Sequence, residues 1–216
     1  MTTTWAQLLK DLREDLQDTG GNPRWTNYLL WLYTKDAVRD YSIWFPKRQD
    51  SVTLIASGDG YALPADFYED ILVECPEDTF LERRRGRPGI RFITKTTPNL
   101  YHIDGGLLYL NGSSSDDVIL TYFAIHSIPA TEKDKTFVFT VPDGDVELLR
   151  LYVKGQVHGQ MRGKQSRLDR FEPGAGRRDD NPLEPETHIL MNEYYSKIAL
   201  RVGGGAVVLT RPGRIR

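Results

Sequence analysis

The spacing of apolar residues changes character twice along this chain, and that switch constrains the fold more than any single motif. Up to Trp44 apolar side chains recur at intervals of three and four. From about residue 47 to 141 they come in short, β-branched runs: "SVTLIA", "DILVEC", "IRFITK", "LYHI", "LLYLNG", "DVILTYFAI" and "TFVFTV". From Asp143 the helical interval returns. This order predicts an α+β protein: a helical bundle of two N-terminal helices plus a later long helix, an inserted antiparallel β-domain, and an extended C-terminal arm. The corresponding segments are 1–46, 47–141, 142–163 and 164–216.

Residues 4–18 read as the first helix. Thr4 with Gln7 resembles a capping box, and Trp5, Leu8, Leu9, Leu12 and Leu16 share one face. "TGGNP" (19–23) stops it. The second helix spans 24–44 and ends at Pro46. Trp25, Leu29, Leu32, Tyr33, Ala37, Tyr41 and Trp44 give its stripe, and Tyr28, Leu30 and Trp31 widen it nearly all round the middle turns. A surface helix needs only one apolar face, so two imply burial between layers or contact with a neighbouring subunit. A hairpin of about 40 residues buries such aromatics poorly by itself. Its expected partner is the third helix, about a hundred residues later, where Asp143 caps and Asp145 and Glu147 suit the positive end of the dipole.

Within the β-block, "LYHIDGGLLYL" is a hairpin signal with its turn at Asp104-Gly105-Gly106. Residues 164–185 are charged and rich in Gly and Pro, which predicts an exposed linker. A fourth helix follows at about 186–202, with Met191, Tyr194, Tyr195, Ile198 and Val202 as its stripe and Gly203 as its cap. The composition of 164–216 predicts that this stretch orders only on docking.

Charge follows the same division. Residues 1–163 carry 18 basic and 23 acidic side chains, a net of −5; residues 164–216 carry 10 and 7, a net of +3. A basic tail on an acidic body suits an acidic partner or phosphates, or is a solvated linker. One cysteine, Cys75, rules out an internal disulfide and fits a reducing compartment. No apolar run approaches the ~20 residues that span a bilayer, so no membrane partner is expected.

Residues suited to catalysis are sparse. His102, His126, His158 and His188 are scattered without metal-ligand spacing, and neither metal nor cofactor is expected. His102 and His126 fall in predicted strands, and Cys75 reads as core. "GGG" at 203–205 follows a helix and lacks the Lys-Ser/Thr of a phosphate loop, so it is a hinge. The run Arg83, Arg84, Arg85 and Arg87 admits three readings: a solvated loop, a subunit interface, or a DNA-facing patch. Two rivals to a structural role stay open. One is a β-module that binds glycan or another protein through exposed Tyr101, Tyr109 or Tyr122. The other is a peptidoglycan hydrolase using Asp66, Glu69 or Glu82.

The chain ends "RVGGGAVVLTRPGRIR". Ala206, Val207, Val208, Leu209 and Thr210 form a β-prone segment on a glycine hinge, followed by Arg211, Arg214 and Arg216. Five residues make no sheet alone. The segment must add to an edge of its own β-domain or of another chain.

In "YALPADFYEDILVE" (61–74), Pro64 fixes its own φ and extends Leu63, Asp66 is placed to cap a short turn, and Phe67 turns inward. With its surroundings this stretch resembles the head–tail adaptor, or head-completion, proteins of short-tailed and related bacteriophages. The resemblance covers about 1–163. It lies in the order of parts: a Trp- and Leu-bearing helix pair with an early Trp25, an aromatic-Pro end at Trp44-Phe45-Pro46, a β-region bearing Leu63, Pro64, Asp66 and Phe67, and a long closing helix. It implies a non-enzymatic virion protein at the head–tail interface, assembled in the host cytoplasm. It further implies a ring of twelve copies beneath the portal, through which double-stranded DNA passes transiently, and which presents a platform to tail nozzle or tail-fibre proteins. Residues 206–210, with Arg211, Arg214 and Arg216, would be the portal-docking arm. Trp25, Tyr28, Trp31, Tyr41 and Trp44 would lie in the helical core or between subunits.

Overall fold

The computed structural model describes residues 2–57, 60–84, 97–112, 116–169 and 183–203. It divides into two compact units. One joins the residues up to Trp44 with those from His126 onward; the other is Phe45–Ile125. The fold class is the expected one: α+β, with strands inserted between helices.

The helical unit contains α1 (Trp5–Asp15), α2 (Asn27–Trp44), a short 3-10 turn (Asp143–Asp145), α3 (Val146–Asp169) and α4 (Leu183–Gly203). Thr4 caps α1, its hydroxyl accepting from the Gln7 N–H at 3.3 Å. Trp5, Leu8, Leu9 and Leu12 are buried, as their spacing requires. The second helix begins three residues later than expected, because Trp25 and Thr26 form its entry. Arg13 fixes that entry: it donates to the Trp25 carbonyl (3.0 Å) and pairs with Asp18 (2.9 Å), whose carboxylate in turn accepts from the Arg24 and Trp25 N–H groups. The third helix closes the unit as anticipated, with Arg150 reaching Asp15 of α1 at 2.7 Å.

One expected strand belongs elsewhere. "TFVFTV" (136–141) forms no strand, and the β-unit ends at Ile125. Its alternation is real, since Phe139 and Val141 are buried and Val138 is exposed. Its partner, however, is the start of α1. The N–H groups of Trp5 and Ala6 donate to the carbonyls of Phe137 (2.8 Å) and Lys135 (3.2 Å), and the Phe139 N–H donates to Thr3 (3.1 Å). These bonds satisfy donors that a helix N-terminus leaves orphaned. The stretch just before it anchors two tryptophans: the indole N–H groups of Trp5 and Trp31 donate to the carbonyls of Glu132 and Pro129, each at 3.0 Å.

The β-unit holds β1 (Lys47–Thr53), β2 (Ile55–Ser57), β3 (Gly60–Ala62), β4 (Phe67–Glu74), β5 (Glu82–Arg83), β6 (Leu100–Asp104), β7 (Leu107–Leu110) and β8 (Ile119–Ala124). One sheet has the order β1-β8-β4, the other β2-β3-β7-β6-β5. Pairing is antiparallel except for the two-residue β5 beside β6. The hairpin β6–β7 turns where expected, with Gly105 and Gly106 at φ +58° and +81°, the pair of positive angles that a two-residue turn demands. Val73, Cys75, Tyr101, Leu108, Leu120 and Tyr122 belong to the core. Cys75 is thus a buried core residue, as read.

Candidate functional site

Leu63–Phe67 is a corner between β3 and β4, and three backbone bonds fix it. Leu63 N–H donates to the Gly106 carbonyl (3.1 Å), Phe67 N–H to Pro64 (3.0 Å), and Ile125 N–H to Asp66 (2.7 Å). The Asp66 carboxylate reaches across to β8, where it accepts from the Tyr122 phenol at 3.0 Å. The Phe67 ring lies against Tyr122, centroids 5.7 Å apart. Burial and the Asp66 carboxylate push the Tyr122 hydroxyl up to about 12. The corner is therefore a joint that ties β3, β4, β8 and the β6–β7 turn together.

Arg83 has an internal task. Its guanidinium lies 2.6 Å from Asp70, whose side chain is only 5% exposed and also accepts from the Tyr101 phenol. Burial, then Asp70, raises the Tyr101 hydroxyl well above the ordinary phenol range. The Arg84 N–H donates to the Tyr101 carbonyl at 2.8 Å, which continues the sheet. Arg85 and Arg87 lie outside the described residues. Tyr101 and Tyr122 are buried and Tyr109 stacks on His102, so these three make no exposed aromatic cluster of the kind a glycan site needs. Of the carboxylates considered for hydrolysis, Asp66 is engaged by Tyr122, while Glu69 and Glu82 are exposed.

The aromatics of α2 and its entry divide sharply. Trp25, Trp31 and Tyr41 are buried within the chain's own helical unit, Trp44 is half-buried, and Tyr28 is 54% exposed. The Tyr41 phenol donates to Asp145, which raises its pKa after burial itself, and Asp145 also pairs with Arg201 of α4. His126 lies just past β8, in no strand. Its N–H donates to the Ser42 hydroxyl, and its Nδ1 sits 3.0 Å from the Thr140 hydroxyl.

The docking of α4 was not legible in the sequence. Within 164–216, residues up to Asp169 continue the helix that starts at Val146, and Leu183–Gly203 packs along it. Ile198 is fully buried. So is Tyr194, whose phenol donates to the buried Asp40 carboxylate at 2.9 Å. Lys197 meets Glu147 at 2.5 Å, lowering the carboxyl and raising the ammonium, and Arg201 donates to the Gly144 carbonyl at 2.9 Å. A Cβ at Gly155 would lie 2.6 Å from the Met191 sulfur, so α3 and α4 approach closely there. One signal was present: Asp40 sits between Ala37 and Tyr41 on the apolar side of α2, a carboxylate that demands a buried donor.

The arm itself (Ala206, Val207, Val208, Leu209, Thr210, Arg211, Arg214 and Arg216) lies outside the described residues. Among the described residues no group of His, Cys, Asp and Glu is arranged to hold a metal, and no helix is long and apolar enough to cross a membrane.

Residues 3–181 match the model of a family described as SU10 adaptor protein, a range that takes in α1, α2, the whole β-unit and α3 and stops just short of α4. No curated protein matches the chain.

Proposed function

The chain belongs to the SU10 adaptor protein family and is a structural adaptor of a bacteriophage virion; from that premise we propose that it is a head–tail adaptor that forms a ring beneath the portal. In this reading the ring, of twelve copies, extends the DNA channel of a short-tailed phage and offers a platform to tail components. The work is mechanical and non-enzymatic. The observation that carries the reading is the family match over residues 3–181, which takes in α1, α2, the β-unit and α3. A net charge of −5 over residues 1–163 supports a channel role, since like charge discourages arrest of a sliding duplex.

The attachment device is the segment after α4. Ala206–Thr210 adds a strand to a sheet edge on the portal, Gly203–Gly205 gives it reach, and Arg211, Arg214 and Arg216 meet acidic side chains there. Mass measurement with and without a portal ring tests both parts. The full chain is expected to be monomeric alone and to form a ring on the portal. A chain ending at Gly203 should keep its helical signal and lose portal binding. Undiminished binding by that shortened chain would refute the strand-addition scheme, and a full chain that ignores portal rings would refute the adaptor placement.

A further inference from the structure

Two helices of the helical unit carry outward faces whose side chains match one another. On α2 the core side is set by Leu30, Thr34, Ala37, Val38 and Tyr41. The opposite side presents Leu32, Arg39 and Ile43, of which Ile43 is 41% exposed and the Arg39 side chain 58%. On α4, Tyr194 and Ile198 face the core, and the opposite side presents Ile189 (62% exposed), Glu193 and Leu200 (72% exposed). Leu32 and Ile43 are eleven residues apart, as are Ile189 and Leu200. That interval is three helical turns, about 16.5 Å, and returns to within about 20° of the starting face. Both stripes therefore read apolar, charged, apolar over the same length, with opposite charge in the middle.

The charges choose a direction. With the helices antiparallel, Ile43 meets Ile189, Leu32 meets Leu200, and Arg39 meets Glu193, because each charge lies four residues from its isoleucine. With the helices parallel, Glu193 would face Asp36, a like-charge pair. The antiparallel register sets Lys35 opposite Lys197, but both are occupied: Lys35 lies 4.4 Å over the Trp31 ring, and Lys197 sits between Glu147 and Glu193. Arg39 gives up little to meet Glu193, and Glu193 can accept from it while keeping Lys197. The present partner of Arg39 is Asp36 at 3.9 Å, an exposed pair within one helix, and Glu193 lies 3.0 Å from Lys197.

Resting on the ring reading above, we propose that the outward face of α2 on one copy seats antiparallel on the outward face of α4 on the next copy. Because the two faces differ, the contact is head-to-tail, the class of contact that builds a closed ring when the rotation per copy is a whole fraction of a turn.

The test uses the full chain with the portal ring of the same virus. Arg39→Glu and Glu193→Arg each replace attraction with repulsion and should weaken ring formation about tenfold per contact. The double reversal should restore it to within about threefold of wild type. As a readout independent of charge, Ile43→Cys with Ile189→Cys should give disulfide-linked ladders between copies, Cys75 being buried. Rings that ignore both single reversals, a double variant that stays impaired, or disulfides formed within one chain would overturn the helix pairing and leave the ring intact. A wild-type chain that makes no oligomer on the portal would bring down the ring and the pairing together.

Discussion

Removing one oxygen from Tyr194 should loosen the whole fourth helix. The ring is fully buried, and its phenol donates at 2.9 Å to Asp40, which is itself buried in α2. Tyr194→Phe keeps the ring and its edge-on packing against Tyr152 and Tyr195, with centroids 5.3 and 5.1 Å apart. It leaves a buried carboxylate short of one donor. A hydrogen bond to a charged group contributes about 1.5–3 kcal/mol net, and the surrounding burial places this one toward the top of that range. The expected loss is therefore about 2–3 kcal/mol in the unfolding of the helical unit, enough to raise the open population of α4 roughly 30- to 150-fold if the loss acts on its local opening. Denaturant titration measures the first quantity, and amide exchange along 186–203 measures the second. Asp40→Asn in the same background closes a double-mutant cycle, whose coupling should exceed about 1 kcal/mol. A loss below about 0.5 kcal/mol with unchanged exchange would refute the view that this pair holds α4 in place.

Two further perturbations act on the β-unit. The Tyr122 hydroxyl is raised from 10.0 to about 12, so the folded state favours the neutral phenol; its contribution is complete below pH 10 and is lost as pH rises from 10 toward 12. Tyr122→Phe should flatten that alkaline decline when stability is followed by intrinsic fluorescence, and an unchanged slope would exclude Tyr122 as its source. Arg83→Ala should cost about 1–2 kcal/mol, below the figure for a fully buried pair because the arginine is part-exposed. Differential scanning calorimetry reads that loss; a neutral result would return Arg83 to the solvated-loop reading.

Local periodicity made the helices legible, and turn chemistry made the β6–β7 hairpin legible. Trp5, Leu8 and Leu12 declared a buried face, and Asp104-Gly105-Gly106 declared a turn, because those signals depend on near neighbours. "TFVFTV" was misread for the opposite reason. Alternation reports which side chains are buried; it does not say whether the backbone partner is a strand or the orphaned N–H groups of a helix start. The docking of α4 was hidden in the same way. Residues 164–185 have the composition of a linker, and what fixes the helix beyond them is a set of bonds to Asp40, Asp145 and Glu147, none of them nearby in sequence. The candidate assembly surfaces were legible only in part. A stripe wide enough to suggest two buried faces proved to place Trp31 and Tyr41 in the chain's own core, leaving the opposite face available.

Four of the chain's eleven tyrosines share one device. Tyr41 with Asp145, Tyr101 with Asp70, Tyr122 with Asp66 and Tyr194 with Asp40 are phenol–carboxylate pairs that join elements far apart in sequence. Apolar contact is non-directional, so a core of modest apolar content tolerates sliding. A carboxylate as buried as Asp40 or Asp70 does not, because displacement strands a charge. Two of the four pairs, with Arg201 and Lys197 added, act on α4 and the turn before α3. The polar ties thus concentrate on the helix that lies between the adaptor body and the segment proposed to grip the portal. A helix held only by grease would absorb tension from such a grip by slipping along α3. Held by the buried Asp40 and by Asp145, it passes that tension to α2 and to the turn before α3, and in the pairing proposed here α2 hands it to the next copy.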